Sequence, residues 1–130
     1  MTEAADVTDK RLWALRGATQ AESNDAEAII GATEELMREM IDRNDLDADS
    51  MVSCIFTATS DLDAQFPAVA ARNLGLSAVP LLCAREIEVP DSMPRVIRVL
   101  LHYYAPAGHE PAHTYMGEAK RLRADLHAAQ

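Results

Sequence analysis

Arg95-Val-Ile-Arg98-Val-Leu-Leu-His102-Tyr-Tyr104 is the longest apolar strand candidate in the chain, and its reading decides the fold. Alternation along a strand puts Arg98, Leu100 and His102 on one face. The run is entered from a loop holding Pro90 and Pro94 and is far shorter than the ~18 residues a membrane span needs. Working back from it, Leu76 to Ala84 and Met51 to Thr59 are further apolar, β-branched segments bounded by polar turns, and both read as buried strands. Leu12 to Thr19 is a fourth, with Arg16 near its end.

Helices fall between these strands. Ala26, Ile29, Ile30, Thr33, Leu36, Met37, Met40 and Ile41 recur at helical spacing, and Asn24 with Glu27 three residues on predicts a capping box at the start. Glu27, Glu34, Glu35, Arg38, Glu39 and Asp42 occupy the opposite face, so one stripe packs on a sheet and the other meets water. Phe66-Pro67-Ala68 opens a second, short helix that ends at Asn73-Leu74-Gly75. His113 to Leu126 fits strand or helix. The sum is an α+β domain with a single mixed sheet packed with helices. Its strands read as apolar on both faces, so part of their cover is expected from a partner subunit.

The chain has 130 residues, 48% of them hydrophobic, which suffices for one self-supporting core. Residues 1–10 are expected to form a flexible leader and residues 11–130 the single domain. Its net charge of −9 excludes nucleic acid and anionic lipid as partners unless a dense basic patch opposes it, and no such run exists. The acids are unevenly spread: residues 1–63 carry 15 acids and 5 bases, residues 64–130 carry 6 and 7. Cys54 and Cys83 are too few for a disulfide framework, and the start lacks the basic and apolar regions of a secretory signal, so a cytoplasmic location is expected.

Three motifs imitate sites and fail on inspection. Asp45, Asp47 and Asp49 alternate like the opening of a calcium loop, but Ser50 stands where glycine is needed and Phe56 where a bidentate acid is needed. His109 and His113 lie four apart, with Pro111 between them spoiling a helical zinc pair. Cys54 in mid-strand reads as a small buried hydrophobe. No metal is expected from these motifs. The set Arg16, Arg72, Cys83, Glu86, Arg98, Tyr115 and Arg123 is harder to dismiss, because arginines within apolar strands need partners. Glu86 can neutralise one of them. The others fit either further structural pairing or a pocket for a small dianion, and the residues alone leave both open.

Several segments carry a family resemblance. They are Leu15-Arg16-Gly17-Ala18-Thr19, Thr57-Ala58-Thr59-Ser60-Asp61-Leu62 with Phe66-Pro67-Ala68 and Arg72, Val79-Pro80-Leu81-Leu82-Cys83 with Glu86, Ile97-Arg98-Val99, and Tyr115 with Leu122-Arg123-Ala124-Asp125-Leu126. In order and spacing they resemble the AroH class of chorismate mutases, the trimeric Bacillus-type fold. The match is spread from Leu12 to Leu126, which makes it more specific than any single motif.

The resemblance implies the Claisen rearrangement of chorismate to prephenate in aromatic amino-acid biosynthesis, without cofactor or covalent intermediate, in a homotrimer with active sites between subunits. By the same resemblance Arg98 donates to the ether oxygen and Arg16 and Tyr115 hold the side-chain carboxylate. Glu86 accepts the ring hydroxyl's proton, and Cys83 lines the same region. Phe66, Ala68, Leu81, Leu82 and Leu122 form the walls, and Arg72 and Arg123 sit at the mouth. Two positions depart from the family pattern: Val69 replaces its usual lysine near the mouth and Leu82 a polar residue beside the cysteine. The rival readings are a non-catalytic trimer that binds a small carboxylate as a regulator and an enzyme similar to the trimeric imine deaminases. Retention of Arg98 and Glu86 favours the mutase.

Overall fold

A computed structural model describes residues 9–123. The expected leader, apart from residues 9 and 10, and Ala124, Asp125 and Leu126 of the family-like tail lie outside the described residues. Five strands, β1 (Lys10–Gln20), β2 (Met51–Ala58), β3 (Leu81–Arg85), β4 (Val96–Pro106) and β5 (Thr114–Tyr115), form one sheet in the order β3-β2-β4-β1-β5. β4 is central and antiparallel to both neighbours, whereas β3 runs parallel to β2 and β5 parallel to β1. The helices are α1 (Ala26–Asn44) and the short α2 (Ala68–Asn73), with 3-10 turns at Ala48–Ser50 and Gly117–Ala119. Residues 120–123 are helical, so the ambiguous tail resolves into a short strand followed by helix. Among the described residues no helix is long and apolar enough to cross a membrane.

One face of the sheet carries the core. Ile97, Val99, Leu101 and Tyr103 of β4 are fully or almost fully buried, as are Phe56 and Cys54 of β2 and Leu15 of β1. Against them α1 lays Leu36, Met37 and Met40. Gly17 makes that contact possible: a Cβ built there would run into Met40 Sδ and lie 3.3 Å from Leu36 Cδ1. Burial pushes the Cys54 thiol up to about 12, which leaves it an inert part of this core.

The opposite face is largely open within the described residues of one chain. From Ile97 onward residues along β4 alternate, with Arg98 and Tyr104 exposed and Leu100 and His102 half-buried. Tyr104, Leu12 and Leu82 are 49%, 48% and 61% exposed. Among the described residues, then, the strands are buried mainly on one face, because α1 and α2 pack on that face or at its edge. Arg16 and Arg98 likewise lie open rather than buried, so the expense anticipated for charges inside apolar strands does not arise within one chain.

Two other expectations are corrected. Asp25, not Asn24, caps α1: its Oδ1 accepts from the Ala28 backbone N–H at 2.9 Å. Asn24 instead accepts from the backbone N–H groups of Asp63 and Ala64 and donates to Asp63 Oδ1. An amide offers donors and an acceptor together, which suits this bridge, while a carboxylate is the better acceptor for a helix N-terminus. The expected strand Leu76–Ala84 begins only at Leu81 and runs to Arg85, since Leu76 and Val79 are buried within a turn closed by Val79 N–H donating to Leu76 O. Pro80, lacking an N–H, ends that turn.

α1 also runs to Asn44, further than its apolar stripe. Asn44 is buried and bonds Met40 O and both backbone groups of Ala112, tying the helix end to the chain entering β5. Asp45 closes the helix in a left-handed conformation and Asp47 caps the 3-10 turn, so the imitation calcium loop is helix punctuation. At the start of β4 the Asp61 carboxylate accepts from Arg95 N–H, and Thr59 Oγ1 accepts from Val96 N–H. These bonds fix where β4 begins.

Gly17→Ala should lower stability by about 1–3 kcal/mol through overpacking of Met40, without loss of fold. Reversible chemical denaturation read by circular dichroism checks this, and an unchanged midpoint would mean that α1 is less tightly seated.

Candidate active site

Cross-strand partners share a face, so the register builds the site. Arg98 stands opposite Thr57 of β2 and Ala18 of β1, and Ala18 is in turn level with Tyr115 of β5. Thr57, Arg98, Ala18 and Tyr115 therefore form a row across the open face. Arg16 lies two residues from Ala18 on the same face.

Glu86 reaches this row from just beyond β3, where its backbone N–H donates to Ala58 O at 3.0 Å. Arg98 Nε donates to Glu86 Oε2 at 3.0 Å and Oε1 at 3.2 Å, and Thr57 Oγ1 donates to Oε2 at 2.7 Å. The Glu86 side chain is 15% exposed and that of Arg98 46%. A half-exposed pair of this kind adds at most ~1 kcal/mol to stability, so the arrangement is better understood through what it leaves available. Among the described residues, Arg98's side-chain hydrogen bonds run through Nε, which leaves both terminal guanidinium nitrogens able to donate elsewhere.

Beside it lies a second cluster. The Arg16 backbone N–H donates to His113 Nδ1 at 3.0 Å, and Arg123 Nη1 donates to His113 O at 3.4 Å. Burial first, then the charges of Arg16 and Arg123, hold the His113 imidazole below its ordinary value. Its Nδ1 accepts a hydrogen bond, which requires the neutral ring. Leu122 is half-buried beside Arg123 in the chain, and Tyr115 is half-buried in β5. Arg16, Arg98 and Arg123 thus stand on or next to one open face, where, among the described residues, Glu86 is the carboxylate that engages Arg98. That imbalance suits a dianion.

The other expected residues do not join this group within one chain. Cys83 pairs in register with Phe56, whose side chain is fully buried under the helices, so Cys83 faces the core side and packs against it. Leu81 shares that side, Ala68 is buried in α2, and Arg72 is exposed at the end of α2. Phe66, 66% exposed, and Cys83 instead line a separate open cleft of about 360 Å³ together with Phe56, Leu62, Pro67 and Arg85. Leu82 does face the open side, but on the outermost strand, level with Ile55 and Leu100 rather than with Arg98. The expected convergence of Arg72 and Cys83 on Arg98 is therefore not made by a single chain, for a plain reason: β3 is an edge strand, and the parity of its residues turns Cys83 away.

A family model described as chorismate mutase type I matches residues 12–126. The chain belongs to the chorismate mutase type I family. It is 46% identical over 118 residues to a chorismate mutase AroH from Thermus thermophilus, covering 89% of this chain and 97% of that protein. With the chorismate mutase AroH of Bacillus subtilis it shares 33% identity over 114 residues, covering 86% and 90%. A solved chorismate mutase structure from Clostridium thermocellum superposes with a TM-score of 0.78 at 42% identity, covering 85% of this chain and 99% of that one. The activity that goes with membership is the isomerisation of chorismate to prephenate, so the regulatory-protein and imine-deaminase readings are not favoured.

Thr57 was not among the expected site residues; it was signalled only by its polarity at an open-face position of β2.

His113 gives a pH prediction. Its value in the folded chain lies below that in the unfolded chain, so as pH falls through ~6.5 the unfolded chain takes up the proton first and stability drops. Melting temperatures measured between pH 8 and pH 5 should decline in that window, and His113→Gln, which keeps an acceptor but cannot charge, should flatten this part of the decline. A slope identical to wild type would contradict the assignment.

Proposed function

We propose that this chorismate mutase works as a homotrimer in which each active site is completed by two chains, one supplying Arg16, Glu86, Arg98, Tyr115, Leu122 and Arg123 and the other Phe66, Ala68, Arg72, Leu81, Leu82 and Cys83. The observation that carries the proposal is the separation of these two groups within one chain. An uncovered sheet face with Leu12, Leu82 and Tyr104 exposed supports it, because a neighbouring copy would remove that apolar surface from water. In this reading the site supplies aromatic amino-acid biosynthesis. A cytoplasmic location accords with two cysteines that stand as free thiols.

The chemistry is unimolecular. The enolpyruvyl arm must be held over the ring while the ether C–O bond lengthens, negative charge collects on the ether oxygen and positive charge on the ring system. A million-fold acceleration corresponds to ~8 kcal/mol, within reach of orientation plus a few aimed donors and with no call for a metal or covalent step. The terminal nitrogens of Arg98 meet the growing charge on the ether oxygen. Glu86 accepts from the ring hydroxyl and faces the cationic side of the ring, with Cys83 beside it. Arg16 and the Tyr115 hydroxyl hold the side-chain carboxylate. Phe66, Ala68, Leu81, Leu82 and Leu122 form apolar walls that restrict the arm, and Arg72 and Arg123 receive the ring carboxylate at the mouth. Stabilisation is concentrated where charge develops, which is what raises turnover rather than ground-state binding.

Arg98→Ala should lower kcat for chorismate loss at least ~10²-fold, since it deletes a donor aimed at the ether oxygen. Near wild-type turnover would sink this role. Arg123→Ala should raise KM more than it lowers kcat; a pure kcat loss would remove it from the mouth. The shared site is tested by refolding Arg98→Ala and Arg72→Ala chains together: mixed trimers regain some unmodified sites and hence activity, whereas sites built within one chain would regain none.

A further inference from the structure

We infer that Thr57 is a positioning residue for the rearrangement, acting through Glu86. This rests on the reading above that Glu86 and Arg98 meet the substrate. Thr57 stands directly opposite Arg98 in the β2–β4 register, and its Oγ1 lies 2.7 Å from Glu86 Oε2. A carboxylate only accepts, so the threonine hydroxyl is the donor. Arg98 Nε binds the same carboxylate at both oxygens.

The geometry gives each bond a separate task. Glu86 lies beyond the end of β3, anchored there by one backbone bond to Ala58, and three side-chain torsions separate its carboxylate from that anchor. Arg98 alone would pin the carboxylate to a side chain that is itself long and half-exposed, so the two would move together. Thr57 ties Oε2 to a β-branched side chain on an interior strand, where χ1 is stiff and the backbone is held by β3 on one side and β4 on the other. It converts a mobile pair into one referenced to the sheet. Because the carboxylate engages Nε, the two terminal nitrogens of Arg98 are left turned to the remaining partner, the ether oxygen. The misplacement of a catalytic donor by even 1 Å is costly, so the hydroxyl's effect belongs in turnover more than in substrate affinity.

The experiment is steady-state kinetics on chorismate with Thr57→Val, which keeps the branched shape but removes the donor, and Thr57→Ser, which keeps the donor. Thr57→Val is expected to lower kcat on the order of tenfold with little change in KM, and Thr57→Ser to stay within about threefold of wild type. If Thr57→Val does not fold, Thr57→Ala replaces it. In a Glu86→Ala background the Thr57→Val change should have no further effect, because it acts through the carboxylate. Wild-type kcat in Thr57→Val, or an equal loss in Thr57→Ser, would overturn the proposal, as would full additivity with Glu86→Ala. Retention of wild-type kcat by Glu86→Ala itself would instead overturn the role given to Glu86, which keeps the two failures distinct.

Discussion

The register of β4 between β1 and β2 is the constraint on which the rest depends. β4 is the central strand, and the pairs Ala18 with Arg98 and Thr57 with Arg98 fix its position on both sides at once. A slip by one residue would turn Arg98 into the core and bring Val99 out, reversing both faces together. The slip is opposed from two directions. Val99, Leu101 and Tyr103 are buried against α1, and Asp61 and Thr59 clamp the backbone where β4 starts. The same burial that folds the chain thus aims its arginine.

The overall charge and the local charge point in opposite directions. A chain of −9 would repel a dianion if the charge were uniform. The acids are concentrated in the first half, many on the outer face of α1 and in turns, and the open sheet face carries Arg16 and Arg98 with Arg123 nearby. Glu86 is engaged by Arg98 and Thr57 rather than left to oppose a ligand. An acidic protein can keep a cationic site because screening in water erases distant charges and leaves adjacent ones effective.

Much of the fold was legible because it is written in local patterns. The apolar periodicity of α1, the turn after α2 at Gly75 and the alternation of Arg98, Leu100 and His102 each depend on a few neighbouring residues. The misread places depend on longer-range competition. Asn24 and Asp25 are both good caps in isolation, and the loop at Asp63 and Ala64 decides which is used elsewhere. Leu76 to Pro80 is as apolar as a strand, yet its hydrogen bonds close a turn.

The sequence by itself determined the family, the fold class, the acidic character of the first half and most of the charged residues that belong to the site, since each follows from residue type and spacing. Only the tertiary structure decided which of them meet. Thr57, Glu86 and Arg98 come from separate segments and are joined by strand order, with Thr57 lying 29 residues from Glu86 and Glu86 12 from Arg98. Cys83 and Arg72, equally prominent in the sequence, are turned elsewhere by the parity and edge position of β3 and the placement of α2. A side chain's face is set by alternation along its own strand, but its neighbours are set by the register between strands, and that exists only once the sheet has formed.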